Sequence, residues 1–342
     1  MDKVIKTRIT ETFGIKYPII QAPMGPFYTT ELCLAVSEAG GLGVISHTNL
    51  KGENSIKQMK NNLQYIIEHT DKPFGFNIRV ARMQPDAMPL VRSIAKWIER
   101  DPKLRDQCIY GLTSAGSPLR TSEVWKKKCP TLHHYHVAPS LVLAQKVVDA
   151  GCDGLVVTGT EGGGHQSYEM VTTLVLLQEA VKKYPITPII ACGGFASPEG
   201  VAMGLAAGAD AIAMGTRFIA TKQSEFHENY KELIYPAKSQ DTILTTGAFG
   251  PIRLLKNKYS LEHGMILSKE EKITQEAGFS IEELEEEMER YELVYRGDVD
   301  NGAILLGQTI GLIDTEGDVD EIVTNFSKKA EEILKTAVSK IS

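Results

Sequence analysis

The residue types best suited to chemistry cluster at the ends of short apolar runs. One run ends in Ala191-Cys192-Gly193-Gly194-Phe195-Ala196-Ser197 and the next in Ala213-Met214-Gly215-Thr216-Arg217-Phe218. Glycines here let backbone N–H groups approach an anion, and the helix that follows adds its positive end. A single Gly-Gly pair is most simply a tight turn. Two glycine turns after consecutive strands, Gly193–Gly194 and Gly215–Thr216, read together as a phosphate cradle.

A third run ends in Thr158-Gly159-Thr160-Glu161-Gly162-Gly163-Gly164-His165. Three successive glycines are entropically costly, which a close approach to a flat or charged ligand would explain. His165 follows at once. A loop histidine is usually a surface residue, but one placed by such a turn is a candidate acid/base group, since imidazole titrates near neutrality. The segment Gln21-Ala22-Pro23-Met24-Gly25 and Asn77 contribute small apolar and amide groups. A flavin ring needs an apolar face, backbone donors and acceptors at its pyrimidine edge, and an amide. Ala22, Pro23, Met24 and Asn77 have the types to supply them, although each alone is an ordinary structural residue.

These groups need a scaffold that gathers strand ends. Apolar strands are expected at 17–24, 42–46, 74–80, 108–114, 132–138, 154–158, 188–192 and 211–215. Amphipathic helices separate them, at about 30–39, 55–69, 87–100, 122–128, 140–150, 171–182 and 198–207, with another from about 217. Short strands without polar alternation are buried on both faces, as in a parallel sheet. Eight such units fit a closed (β/α)8 TIM barrel, whose functional groups sit at the strand C-termini and whose phosphates bind after strands seven and eight. An open doubly wound sheet fits less well, because no GxGxxG follows the first strand. Residues 223–296 break the rhythm with a loop punctuated by Pro236, Gly247, Gly250 and Pro251 and an acidic helix at 280–291. They read as a lid or substrate subdomain on a barrel made of 1–222 and 297–342, with a last helix at 320–339.

The 342 residues carry a net charge of −6, which argues against nucleic acid as a partner. The five cysteines are scattered without a CxxC spacing, so neither a zinc site nor a disulfide framework is expected, and a reducing, cytoplasmic setting is. The polar first dozen residues do not read as a signal peptide, and no run of apolar residues is long enough to span a membrane. His134 and His136 share a face of the fifth strand and would line the barrel's mouth or interior. They lack a third ligand, so core or supporting histidines are the better reading and no metal is expected. A homodimer is compatible with the sequence. A cofactor-free isomerase or aldolase is disfavoured, because no lysine or paired carboxylates mark a strand end and Glu161 is alone there.

In order and spacing, QAPMG at 21–25, FGFNIRV at 74–80, TGTEGGGH at 158–165, ACGGFASPEGVAMGLAAGADAIAMGTRF at 191–218 and GQTIGLI at 307–313 resemble the nitronate monooxygenase (2-nitropropane dioxygenase) family. The resemblance covers about 9–222 and 297–313. It implies an FMN-dependent barrel with the phosphate at Gly193, Gly194, Gly215 and Thr216. It also implies ring contacts from Pro23, Met24, Asn77, Gly163 and Gly164, and an active-site role for His165. The implied activity is oxidation of alkyl nitronates through the flavin and dioxygen. The same pattern is similar to flavin-dependent enoyl-acyl-carrier-protein reductases and quinone reductases that draw on NAD(P)H. Two departures stand out: the family usually has a glycine one or two places after the histidine, where Gln166-Ser167-Tyr168 follow here, and the fifth strand is unusually rich in histidine at His133-His134-Tyr135-His136.

Overall fold

A computed structural model describes residues 5–81, 84–247, 250–262, 264, 270–271 and 281–341. Eight parallel strands form one sheet: β1 (Ile19–Gln21), β2 (Gly43–Ile45), β3 (Phe74–Val80), β4 (Cys108–Gly116), β5 (His133–Ala138), β6 (Gly154–Thr158), β8 (Ile189–Cys192) and β9 (Ala211–Met214). Their spatial order is β1-β9-β8-β6-β5-β4-β3-β2. The barrel's seventh and eighth strands are therefore β8 and β9. Between them in chain order, the two-residue β7 (Gly164–His165) belongs to a separate sheet.

The ring closes between β1 and β2 through one bridge, Ile20 to Leu42. Its hydrogen bonds are Gln21 N to Leu42 O at 2.9 Å and Leu42 N to Ile19 O at 3.0 Å. The Gln21 side chain extends this short seam by accepting from Val44 N at 3.1 Å. The result is the (β/α)8 TIM barrel expected from the spacing of apolar runs.

The interior is packed rather than hollow. Ile20, Val44, Tyr110, Leu112, Tyr135, Val156, Ile190 and Ala213 meet inside it, and Ile9, Phe13 and Ile15 plug the N-terminal end from below. The Phe13 ring lies 5.4 Å from that of Tyr110 and 5.7 Å from that of Tyr135. Arg8 pins the plug with two 2.8 Å hydrogen bonds to Asp210. With the bottom sealed, only the strand C-termini are left to bind a ligand.

Two expectations are corrected. The helix after the eighth strand is only Thr216–Ile219. The outer helix that completes the ring is the C-terminal Val319–Val338, whose Val319, Ile322, Val323 and Ala330 join the core cluster that holds helices Thr30–Glu38 and Pro198–Ala206. The segment between them is thus inserted within the eighth unit. Second, its glycine- and proline-punctuated stretch is not a loop but an antiparallel hairpin, β10 (Thr242–Gly247) with β11 (Gly250–Leu255). The β-branched run Thr-Ile-Leu-Thr-Thr drives it, and Pro251 is tolerated because its carbonyl, rather than a missing N–H, makes a contact, accepting from Gln166 N at 2.7 Å. The acidic helix runs Ile281–Tyr295. Residue 280, its expected start, lies outside the described residues.

Candidate active site

The structure gathers Ala22, Pro23, Met24, Asn77, Gly163, Gly164, His165, Gly193, Gly194, Gly215 and Thr216 around one cavity at the barrel's C-terminal mouth. Every residue singled out for cofactor or catalysis lines it.

The glycine turns are shaped by backbone packing. Gly193 and Gly194 have φ of 82° and 92°, which side-chain-bearing residues rarely adopt. A Cβ on Gly193 would also stand 3.0 Å from Gly162 Cα, and one on Gly163 2.7 Å from the Leu306 carbonyl carbon. Three backbone segments therefore stack without intervening side chains: the loop after β6, the turn after β8, and the return segment at 305–309. Gly307 N donates to Thr216 Oγ1 at 3.0 Å, and Gln308 N to Glu161 O at 2.8 Å. The lone acid at the mouth is occupied as well, since Glu161 Oε2 accepts from Thr173 N at 2.7 Å and caps the helix Thr173–Lys183.

The backbone N–H groups of Gly194, Gly215 and Thr216 have no acceptor among the described residues. Buried or half-buried amides are seldom left so. Three orphan donors on adjacent turns at one cavity suit an anion with several oxygens, which is the chemistry of a phosphate.

The opposite side of the mouth suits a flat ring. Met24 N is held by Ser46 Oγ at 2.8 Å, and Ala22 N by Met214 O at 2.9 Å, so the Ala22–Met24 corner is rigid. Asn77 Nδ2 donates to Leu112 O and to Ser114 Oγ, each at 3.2 Å. That fixes the amide orientation and leaves its oxygen without a donor among the described residues, a preset acceptor for a ring N–H.

His165 is not in a free loop. It forms the edge of the three-stranded sheet, paired through β7 with Ile252 on β11, while remaining exposed. The hairpin is tied down by Arg253, whose Nε donates to Thr160 O at 2.5 Å and Nη1 to Thr242 Oγ1 at 3.0 Å. Gln166 replaces the expected glycine with a brace, its Nε2 donating to Gly162 O at 2.7 Å. His165 thus stands on a sheet rather than a flexible tip.

Sequence reasoning missed Arg79, Thr309 and Leu305, which also line the cavity. An arginine two residues beyond Asn77 in the same strand shares its face, and that period was the available signal. The 305–309 stretch had no local cue, because only tertiary packing brings it to the mouth.

His134 and His136 do not line the cavity. They point outward to the helix layer, with His134 edge-on to Trp125 at 4.7 Å between ring centres. Period two places them on one face without saying which, and the larger Tyr135 takes the interior. Thr113 Oγ1 lies 2.8 Å from His134 Nε2 and 2.7 Å from His136 Nδ1. The Thr113 hydroxyl has one proton, so it donates to one ring and accepts from the other, and Cys152 Sγ lies 3.6 Å from His134 Nδ1. Neutral imidazoles at both positions satisfy this chain.

Burial lowers both to about 3. Their folded values lie below the unfolded one, so the stabilisation is complete above pH ~6.5 and is lost as pH falls toward 3. With both histidines taking up a proton on unfolding, the slope reaches about 2.7 kcal/mol per pH unit between pH 6 and 4. Urea midpoints at pH 7 and 5 should therefore differ more in the wild type than in a His134→Gln/His136→Gln variant. Equal shifts would contradict the neutral chain.

Comparison with known proteins decides the family. The nitronate monooxygenase family model matches residues 6–329. The chain belongs to that family. Its members are flavin-dependent oxidoreductases, and this chain is one of them. It is similar to a probable nitronate monooxygenase of Staphylococcus aureus (strain N315), 26% identical over 286 residues, 74% of this chain and 79% of that protein. It is also similar to a Mycobacterium tuberculosis (strain ATCC 25618 / H37Rv) protein named (3aS,4S,5R,7aS)-5-hydroxy-7a-methyl-1-oxo-octahydro-1H-indene-4-carboxyl-CoA dehydrogenase, 32% identical over 259 residues, 74% of this chain and 67% of that protein. Among solved structures, FabK from Thermotoga maritima superposes with a TM-score of 0.81 at 31% identity, over 98% of this chain and all of that one. No described helix is long and apolar enough to cross a membrane.

Proposed function

We propose that this family member binds FMN at the barrel mouth and oxidises alkyl nitronates to carbonyl compounds and nitrite, with dioxygen as the electron acceptor. The observation that carries the reading is the set of orphan donors at Gly194, Gly215 and Thr216, on the same cavity as His165 and the open Asn77 oxygen. One phosphate is what those donors suit; the two phosphates of FAD would need a second set. Pro23, Met24 and Ala22 supply the apolar wall for the ring. Two-electron transfer from the nitronate carbon, and return of those electrons to dioxygen, is the chemistry a bound flavin supplies.

The residues do the rest. His165 faces the substrate side and exchanges a proton with the carbon acid when the neutral nitroalkane is offered. The β10–β11 hairpin, anchored by Arg253, holds His165 in place. Gly163 and Gly164 let the His165 strand pass close to the ring.

A second reading is favoured by a specific observation: the CoA dehydrogenase relative and FabK share 32% and 31% identity with this chain, against 26% for the probable nitronate monooxygenase. In that reading the flavin is reduced by NAD(P)H and passes hydride to an enoyl thioester or a quinone. Anaerobic rapid mixing separates the two. Ethyl nitronate should bleach the visible flavin absorbance and NADH should leave it unchanged. Bleaching by NADH and not by the nitronate would replace the first reading with the second.

A further inference from the structure

Arg79 lies on β3 two residues beyond Asn77 and lines the same cavity. Among the described residues it is the one guanidinium there, and desolvation pushes its pKa down. Its terminal nitrogen donates to Asn49 Oδ1, a neutral partner. Its Nε is buried and finds no acceptor among the described residues. The groups around it are otherwise engaged. Arg79 N donates to His47 Nδ1 at 3.1 Å, so the proton of His47 is on Nε2, which donates to Asp86 at 3.1 Å. Asp86 also accepts from Gln84 Nε2 at 2.6 Å and from Ser55. The nearby carboxylate is thus held by other donors, and Tyr291 and Asp86 are the neighbours with an electrostatic influence on Arg79.

Arg79 is half-buried and makes no ion pair among the described residues, with Asp86 acting on it only at longer range, and a buried donor such as its Nε is costly to leave unpaired. Here the unpaired Nε belongs to a side chain that lines the ligand cavity. A planar guanidinium matches an anion with two terminal oxygens better than a lysine would.

We propose that Arg79 anchors the negative end of the substrate, a small planar anion bearing two oxygens such as a nitronate or carboxylate. The proposal rests on the reading of this cavity as the active site and adds the charge of its substrate. Arg79 orients the anion, leaving its α-carbon to His165 and the flavin side of the mouth.

The test uses the flavin-loaded protein and propionate, which has the planar two-oxygen end of ethyl nitronate but cannot be oxidised in its place. Propionamide is the neutral control. Perturbation of the visible flavin spectrum reports binding without turnover. Wild type should bind propionate more tightly than propionamide. Arg79→Gln should weaken propionate about 10- to 100-fold, as expected for losing a charged hydrogen bond, and leave propionamide unchanged. Arg79→Lys should recover part of the loss. For ethyl nitronate, the Arg79→Gln defect should fall mainly on KM. Equal propionate affinity in wild type and Arg79→Gln, or no preference of wild type for the anion, overturns the proposal. Loss of flavin from Arg79→Gln also overturns it, by assigning the residue to the cofactor. Arg79-dependent propionate binding in a protein that fails to oxidise any nitronate would leave the anchor standing and remove the nitronate reading alone.

Discussion

His165→Asn should retain flavin and lose 10²–10⁴-fold in kcat/KM on a neutral nitroalkane, the usual range for removing a general acid or base. Asparagine keeps a hydrogen-bonding side chain of similar reach but cannot exchange a proton near neutral pH. The backbone of residue 165 should hold, because it is fixed by the pairing of β7 with β11 rather than by the imidazole. The proposed phosphate donors, at Gly194, Gly215 and Thr216, belong to other turns, so cofactor content should be unaffected. A pre-formed nitronate needs no proton removed, and its loss should be smaller. Side-by-side kcat/KM values for nitroethane and ethyl nitronate, normalised to flavin content, check this. Equal activity of wild type and variant on both would return His165 to an ordinary edge-strand residue.

Gly215→Asp should abolish flavin retention while leaving the barrel folded. Gly215 does not have positive φ, and a Cβ there meets only the Ala22 Cβ, at 3.7 Å. The fold therefore accepts a side chain. A carboxylate beside the orphan donors would repel a phosphate held there: for charges about 5 Å apart this is roughly 3 kcal/mol per unit of phosphate charge at an effective dielectric near 20. That corresponds to more than a hundredfold loss of affinity. Gly215→Ala adds the methyl without the charge and should keep most of its flavin. Gly194→Asp is the poorer probe, because its φ of 92° strains any side chain. A Gly215→Asp protein with full flavin content and wild-type thermal stability would move the phosphate elsewhere.

The eight strands were readable because each is an apolar run ended by glycine or a polar turn, and burial on both faces leaves little else such runs can be. The ring of site residues was readable for a related reason. Gly193 and Gly194 must be glycine both for their φ and for the backbone pressed against Gly193, and those demands leave a local mark. The last helix was readable at 320–339 as an element, but not as the eighth outer helix, since Val319–Val338 reaches its place only after an insertion of about a hundred residues whose packing is non-local. The β10–β11 hairpin was hidden by Pro251, which a strand tolerates only where its N–H is not needed. Arg79 was passed over because a charge near the end of an apolar strand commonly reaches solvent. Its significance lies in what does not pair with it, and that is visible only in three dimensions. His134 and His136 show the limit of period-two reasoning: it groups them on one face but cannot choose between barrel and helix layer.

In the proposed function the mouth of this barrel holds a flavin by a single phosphate. The direct measurement is to denature the purified protein, separate the released chromophore chromatographically and quantify it against protein. FMN in near-stoichiometric amount is the expected result for the wild type. Release of FAD, or a colourless protein that does not take up added FMN, would contradict it.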